Sequence, residues 1–328
     1  MFAKLRDKVL HGDSLNNREL SIIIEADAPE VFELFVCANA IRHHYRSNVI
    51  DLCSITNAKS GGCGEDCAFC AQSFASKADI DTYPLKDIDH VLSYAKTAKE
   101  NKTRRFCIVT AGKKVNVSEL EQIAKMIKGI KALNLLPCAT LGLLHTDELD
   151  MLKNAGLLRY HHNLETSKAY FPHICTTHTY ADKIKTLRAA RLAGLSLCSG
   201  GIFGMGETWS DRINMAYALK DLDVDSVPIN FLTPIKGAPI SNRKNPALEA
   251  LDPIEALEAL KIISLYRFIL PDKEIRICGG RLQTLGELNS LIFMAGADGL
   301  LIGNYLTTLG RHPKEDLKLI KNLRLNIE

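Results

Sequence analysis

From residue 49 onward, short runs of apolar and β-branched residues alternate with longer stretches whose apolar side chains return every three or four positions. The short runs read as strands at 49–55, 105–110, 135–141, 160–164, 196–201, 226–231, 274–278 and 299–302. Strands that alternate with helices in this way predict a parallel sheet, most simply an α/β barrel of the (β/α)8, TIM type. One intervening helix is legible in detail. Ser118 and Glu121 form an S-x-x-E capping box, and Leu120, Ile123, Ala124, Ile127 and Ile130 then share one face, read as packed on the barrel wall. Residues 1–45 are patterned as a helical extension, which leaves 46–328 for the barrel and a C-terminal tail. Residues 234–253, rich in Pro, Gly, Asn and charge, read as a long loop before a helix at 254–270.

Composition narrows the function classes. The chain has 328 residues, 46% hydrophobic and 24% charged, which suits one large soluble barrel. A net charge of +3 gives no field that would select nucleic acid. No apolar run approaches the ~18 residues of a membrane helix. Residues 1–12 carry charges throughout, so they are not read as a secretory signal. Ten cysteines in a chain without an export signal point to a reducing, cytoplasmic setting and to metal or redox chemistry, not a disulfide framework.

The chemistry concentrates just after the first strand, in Gly61-Gly62-Cys63-Gly64-Glu65-Asp66-Cys67-Ala68-Phe69-Cys70. Three cysteines at C-x3-C-x2-C spacing can hold three corners of a four-iron cluster and leave the fourth iron open, as a catalytic metal site requires. An open iron beside the Phe69 ring suits S-adenosylmethionine (SAM), which chelates iron through its amino and carboxylate groups while adenine lies near the ring. The spacing resembles the signature of the radical-SAM superfamily. A structural zinc would need a histidine as fourth ligand, and none stands nearby at finger spacing. Loops at the C-terminal ends of barrel strands are where such folds place chemistry.

Three further cysteines lie on separate predicted strands: Cys107, Cys138 and Cys198. Any one alone reads as a buried small hydrophobe, but three on barrel strands can converge on the interior. Arg276 also lies in a strand, where a buried charge calls for an anionic neighbour. Cys278 follows it by two positions, about 6.6 Å along the same face. Thiolate is a better iron ligand than protonated guanidinium, so Cys278 with the other three would supply the four thiolates of a four-iron site. The alternative is that Cys278 is a passive neighbour. Cys37, Cys53 and Cys175 are read as structural or incidental, with Cys53 in the core.

From about residue 49 to residue 308 the chain resembles the biotin synthase family. The matching stretches are 61–74, Phe106-Cys107, Thr140-Leu141-Gly142, 162–167, 198–208, 227–230, 279–281 and 294–297. The resemblance implies a radical-SAM barrel, a homodimer, that inserts sulfur into dethiobiotin. It implies a 4Fe-4S cluster on Cys63, Cys67 and Cys70, and an auxiliary cluster, commonly 2Fe-2S, on Cys107, Cys138, Cys198 and Arg276 as sulfur donor. An electron donor such as flavodoxin or ferredoxin and cluster-assembly proteins are implied as partners. SAM contacts are implied for Phe69, Thr110, Ala111, Asn163, Glu165, Lys183 and for Ile202, Gly204 and Glu207 of a G-x-I-x-G-x-x-E run. Dethiobiotin contacts are implied for His161, Asn163 and Asn230. The chain departs from the family pattern at several of these positions. Cys278 stands in place of serine, Glu165 in place of aspartate, His161 in place of asparagine and Lys183 in place of arginine, which loses the bidentate fork. The competing readings are another radical-SAM barrel, of the hydrogenase-maturation or methylornithine-synthase type, and a non-catalytic iron–sulfur electron carrier.

Overall fold

The computed structural model describes residues 1–242 and 253–328; residues 243–252 of the expected long loop lie outside the described residues. Its centre is a ring of parallel strands: β1 (Val49–Lys59), β2 (Arg105–Thr110), β3 (Leu136–Thr140), β4 (Arg159–His161), β5 (Ser196–Cys198), β6 (Gly201–Phe203), β7 (Ser226–Phe231), β8 (Glu274–Ile277) and β9 (Gly299–Leu301). The order is β1-β2-β3-β4-β5-β7-β8-β9, and β9 pairs back onto β1 to close the barrel. β5 and β6 are two halves of one stave. β5 pairs with β4 and β7, whereas β6 pairs with β7 further along. The break falls at Ser199-Gly200, where a Cβ on Gly200 would stand 2.0 Å from the Pro228 carbonyl oxygen, so only glycine fits. A short β10 (Asn326–Ile327) ties the C-terminal tail to the start of β1.

The expected strand set is present, with shifted ends. β1 runs on to Lys59 instead of stopping at 55, and β4 stops at His161, so the chain through Asn163 and Glu165 leaves the sheet. β8 stops at Ile277, although the Cys278 N–H still donates to Ile229 at 2.9 Å and keeps Cys278 in register. The helix after β2, at Val117–Ala132, corrects the expected cap. Its N-cap is Asn116, whose side chain accepts from the Glu119 N–H while Glu119 bonds back to the Asn116 N–H. Ser118 therefore sits inside the first turn. The face of Leu120, Ile123, Ala124, Ile127 and Ile130 is buried as read from the sequence. Reciprocal caps of the same kind at Thr179/Asp182 and Thr208/Asp211 start the helices that follow β4 and β6. Three helices, Phe2–Leu10, Asn17–Glu25 and Glu30–Arg46, precede β1, and the third packs on the helix Ala256–Ile269. Among the described residues no helix is long and apolar enough to cross a membrane.

Barrel interiors of this type are filled mainly by branched apolar side chains. Here one interior layer is ionic. Arg276 on β8 is paired by Asp51 of β1 and by Glu274, and Glu274 also meets Arg159 of β4 at 3.1 Å and the Ser226 hydroxyl of β7 at 2.8 Å. Burial alone would raise the Glu274 carboxyl, but Arg276, Arg159 and Arg105 hold it well below the ordinary range. A second buried knot closes the outside of the barrel. Asp298 takes Arg267 from the helix Ala256–Ile269, Arg46 from the helix Glu30–Arg46 at 2.6 Å, and the Ile275 N–H of β8 at 2.8 Å.

Removing one partner of a buried ion pair leaves the other charge uncompensated. Asp298→Asn is therefore expected to lower the unfolding free energy in urea by about 3–5 kcal/mol. Asp223→Asn, whose side chain is 76% exposed in its pair with Lys273, should stay within about 0.5 kcal/mol of the parent. Glu274 titrates in the fold below its ordinary value of 4.5, so its stabilisation is complete above that pH and is lost as the pH falls. Stability measured against pH in Glu274→Gln should show a shallower acid limb than the parent.

Candidate active site

Side chains two apart on a strand share a face, and that rule builds the site in layers above the ionic one. Asp51 is followed by Cys53, Arg105 by Cys107, Leu136 by Cys138, Arg159 by His161, Ser196 by Cys198 and Arg276 by Cys278. Cys53, Cys107, Cys138, His161, Cys198 and Cys278 all line one cavity of about 440 Å³. The next step up the strands adds Ile55, Val109, Thr140, Asn163 and Asn230 to its wall. Cys107 and Cys138 are direct cross-strand partners. Cys53 is buried in a hydrophobic cluster with Cys278 and Leu301, the core role expected of it, and it also lines the cavity. Cys37 is buried in the hydrophobic core, as expected.

The cavity floor carries Arg105, Arg159 and Arg276, against the carboxylates of Asp51 and Glu274 just below. An excess of guanidinium favours an anionic occupant. Arg276 nonetheless has its anionic neighbours already. Its Nη2 is taken by both carboxylates, and its Nη1 donates at 3.3 Å to the carbonyls of Asp51 and Leu300.

The cavity mouth is formed by the loop after β1. Gly61 and Gly62 have φ of +73° and +60°, and the Gly61 N–H donates to Gln72 at 3.1 Å. This turn brings Cys63, Cys67, Phe69 and Cys70 to the cavity. None of the ten cysteines forms a disulfide. Thr110 and Ala111 lie opposite; the Ala111 N–H is held by Lys59 at 2.9 Å, which leaves the Thr110 hydroxyl as the free polar group. Among the described residues, Arg105 Nε, Thr110 Oγ1, His162 Nε2 and Thr233 Oγ1 are buried without a protein partner, and all four residues line this cavity. Buried polar atoms are rarely left unpaired, so the wall fits a polar occupant.

Beyond β4, Asn163 Nδ2 donates to Glu165 at 3.3 Å, and Asn163 Oδ1 accepts from the Gly200 N–H at 3.1 Å and meets His161 Nε2 at 2.9 Å. One Nδ2 hydrogen remains for a ligand. Glu165, just past the expected strand 160–164, lies at φ +72° and bridges to Gly201 of β6. Burial raises its carboxyl. His162 is held neutral by burial, with Lys183 and His161 adding to the effect. Lys183 reaches in from the following helix and donates to the Asn163 carbonyl at 3.1 Å. Asn230 is fixed by Gly201 at 3.1 Å and Gly279 at 3.0 Å, again with one donor and one acceptor position free.

Ile202 lines the cavity, but Gly204 and Glu207 stand back from it. The Glu207 carboxylate accepts from the N–H groups of Gly204 at 3.0 Å and Met205 at 2.8 Å and pairs with buried Arg212 at 2.8 Å. It therefore holds the glycine turn that follows Ile202. Cys175 is not incidental. Its sulfur lies 3.8 Å from that of Cys67, and Cys67, Cys175 and His178 form a group able to hold a metal ion.

Two family models together match most of the chain. Residues 58–219 match the radical SAM superfamily model, and residues 228–326 match the biotin and thiamin synthesis associated domain. The chain is 50% identical over 307 residues to the biotin synthase of Thermodesulfovibrio yellowstonii, covering 94% of both chains. It is 45% identical over 326 residues to that of Citrifermentans bemidjiense, covering 99% of this chain and 97% of the relative. Among solved structures, a methylornithine synthase superposes with a TM-score of 0.82 at 19% identity, covering 99% of this chain and 97% of its own. The FeFe-hydrogenase maturase HydG of Carboxydothermus hydrogenoformans superposes at 0.81 with 16% identity, covering 100% of this chain and 79% of its own. These two show a common fold. On near-full-length identity to the curated relatives, the chain belongs to the biotin synthase family of radical-SAM enzymes.

Proposed function

We propose that this chain converts dethiobiotin to biotin, with Cys63, Cys67 and Cys70 holding a 4Fe-4S cluster at the cavity mouth and a second iron–sulfur cluster held deeper in the barrel. The observation that carries this reading is the stacking of two thiol sets, one at the mouth and one above the ionic floor, on a single cavity. When bound, the clusters and SAM supply an electron, a carbon-centred radical and a sulfur atom. The protein supplies distance, orientation and exclusion of water. Phe69 offers a ring face at the mouth, the free Thr110 hydroxyl and Lys183 offer polar contacts to a methionyl group, and Glu165 offers an acceptor to a ribose. Asn163 and Asn230, each with unused amide capacity, bracket the position for a ureido ring, and His161 borders it. Ile55, Val109 and Leu301 give the chamber an apolar wall that keeps solvent away.

For the deeper cluster we infer a four-thiolate site of Cys107, Cys138, Cys198 and Cys278. Two features support it. Arg276 is engaged by two carboxylates, and Cys278 stands in the same layer as the other three thiols. Arg276 then acts as a counter-charge beside the cluster.

Anaerobic incubation with SAM, a low-potential reductant of the flavodoxin or ferredoxin type and dethiobiotin should yield biotin together with methionine. Cys67→Ala should abolish SAM cleavage. Cys138→Ala should retain SAM cleavage but form no biotin. Cleavage of SAM without biotin in the parent would point to another radical-SAM reaction, and no cleavage to an electron carrier. The Mössbauer spectrum of the reconstituted Cys63/Cys67/Cys70→Ala chain isolates the deeper site. A four-iron signal is expected, and Cys278→Ser should deplete it. A two-iron signal indifferent to Cys278→Ser would return Arg276 to the ligand set.

A further inference from the structure

Beside the mouth motif, the loop after β4 presents Cys175-Thr176-Thr177-His178, a C-x2-H run that the reaction described above does not use. It is fixed against the motif loop. Asp66 accepts from the Thr176 N–H at 2.9 Å, the Thr177 N–H at 3.2 Å and the Cys175 thiol at 3.2 Å. One ligand atom each from Cys67, Cys175 and His178 lies within 4.8 Å of the others. The Cys67 and Cys175 sulfurs are 3.8 Å apart. Two sulfurs bound to one tetrahedral zinc ion at about 2.3 Å stand about 3.8 Å from each other, so the pair is already at the separation a single ion imposes. His178 Nδ1 lies against the Glu65 carboxylate and 3.3 Å from the Cys175 sulfur, and Nε2 stands 3.8 Å from the same sulfur. Nδ1 is thus the ring nitrogen nearest the sulfur, and an ion on it leaves the ring proton on Nε2 and has the Glu65 carboxylate beside it. Glu65 and Asp66 also place negative charge around the group.

We propose that Cys67, Cys175 and His178 form a mononuclear site for a thiophilic divalent cation such as Zn²⁺ or Fe²⁺, which the chain fills when the mouth cluster is absent. Cys67 cannot serve both, so occupancy of this site and assembly of the cluster exclude each other. The competition rests on Cys67 being a cluster ligand; cation binding itself does not.

Cobalt provides a spectroscopic probe for the test. The full-length Cys63→Ala/Cys70→Ala chain, with its deeper cluster loaded, cannot build the mouth cluster and keeps the three proposed ligands. Anaerobic titration with Co²⁺ should show one equivalent bound, with thiolate-to-cobalt charge transfer and two sulfurs and one nitrogen in X-ray absorption. Adding Cys175→Ser or His178→Gln should remove that equivalent, and Glu65→Gln, which takes away the adjacent negative charge, should weaken it. Uptake that survives both ligand substitutions overturns the site, and His178→Gln keeps the test valid should Cys175→Ser fail to fold. In the cluster-free parent, one equivalent of Zn²⁺ should slow rebuilding of the mouth cluster, and Cys175→Ser should relieve the delay. Cobalt uptake together with rebuilding at an unaltered rate would overturn the assignment of Cys67 as the shared thiolate.

Discussion

The buried ion-pair layer across the lower barrel is the constraint on which the site depends. Asp51, Arg159, Glu274 and Arg276 come from three staves and meet where a barrel of this type would ordinarily pack Val, Ile and Leu. Buried pairs of this kind offer weak net stabilisation compared with an apolar layer, but losing one member is costly. Their value here is positional. They fix the heights of β1, β4 and β8 relative to one another, and the two-residue repeat of a strand then carries that registration upward. Cys53, His161 and Cys278 each sit two positions above a member of the ionic layer, and Cys107 sits two above Arg105. A slip of one residue in β1, β2, β3, β5 or β8 would turn its thiol to the outside.

Much of this was legible in the sequence because the signals are local. The eight-stave pattern, the C-x3-C-x2-C loop and the cysteines on separate strands depend on spacing within one segment. Arg276 was recognisable as a buried charge needing an anion. Its partner Glu274 lies two positions before it, within reach of the strand rule; its partner Asp51 was not legible, because it lies 225 positions away and pairing across the ring is a property of closure. Cys53 was legible as core, but its place on the cavity wall was not, because only the closed barrel shows which face is hollow. Cys175 was passed over because its neighbour Cys67 is 108 positions distant. The only local hint was the C-x2-H spacing. The cap at Asn116 was missed by two residues because two overlapping four-residue patterns, Asn116 to Glu119 and Ser118 to Glu121, both satisfy the capping rule. The bonds of Glu207 to its own turn and to Arg212 were not legible from the G-x-I-x-G-x-x-E run alone.

The interrupted stave shows how backbone and site are joined. If β5 and β6 were one strand, the segment after β4 would be drawn into the sheet. The break at Ser199-Gly200 lets the Gly200 N–H bond the Asn163 side chain and lets Gly201 bridge to Glu165. The polar residues after β4 are thereby held over the cavity by hydrogen bonds that a regular ladder would have used for itself.

The ionic floor also governs traffic. With guanidiniums and carboxylates locked across the lower end and the C-terminal strand laid against the start of β1, the described walls leave the mouth as the way in and out. Small molecules that enter this chamber must leave by the door through which they came. Molecules bound one above another in such a chamber must therefore come and go in order. Whatever is held deepest leaves last, and its residence time is set by how quickly the mouth is cleared and refilled.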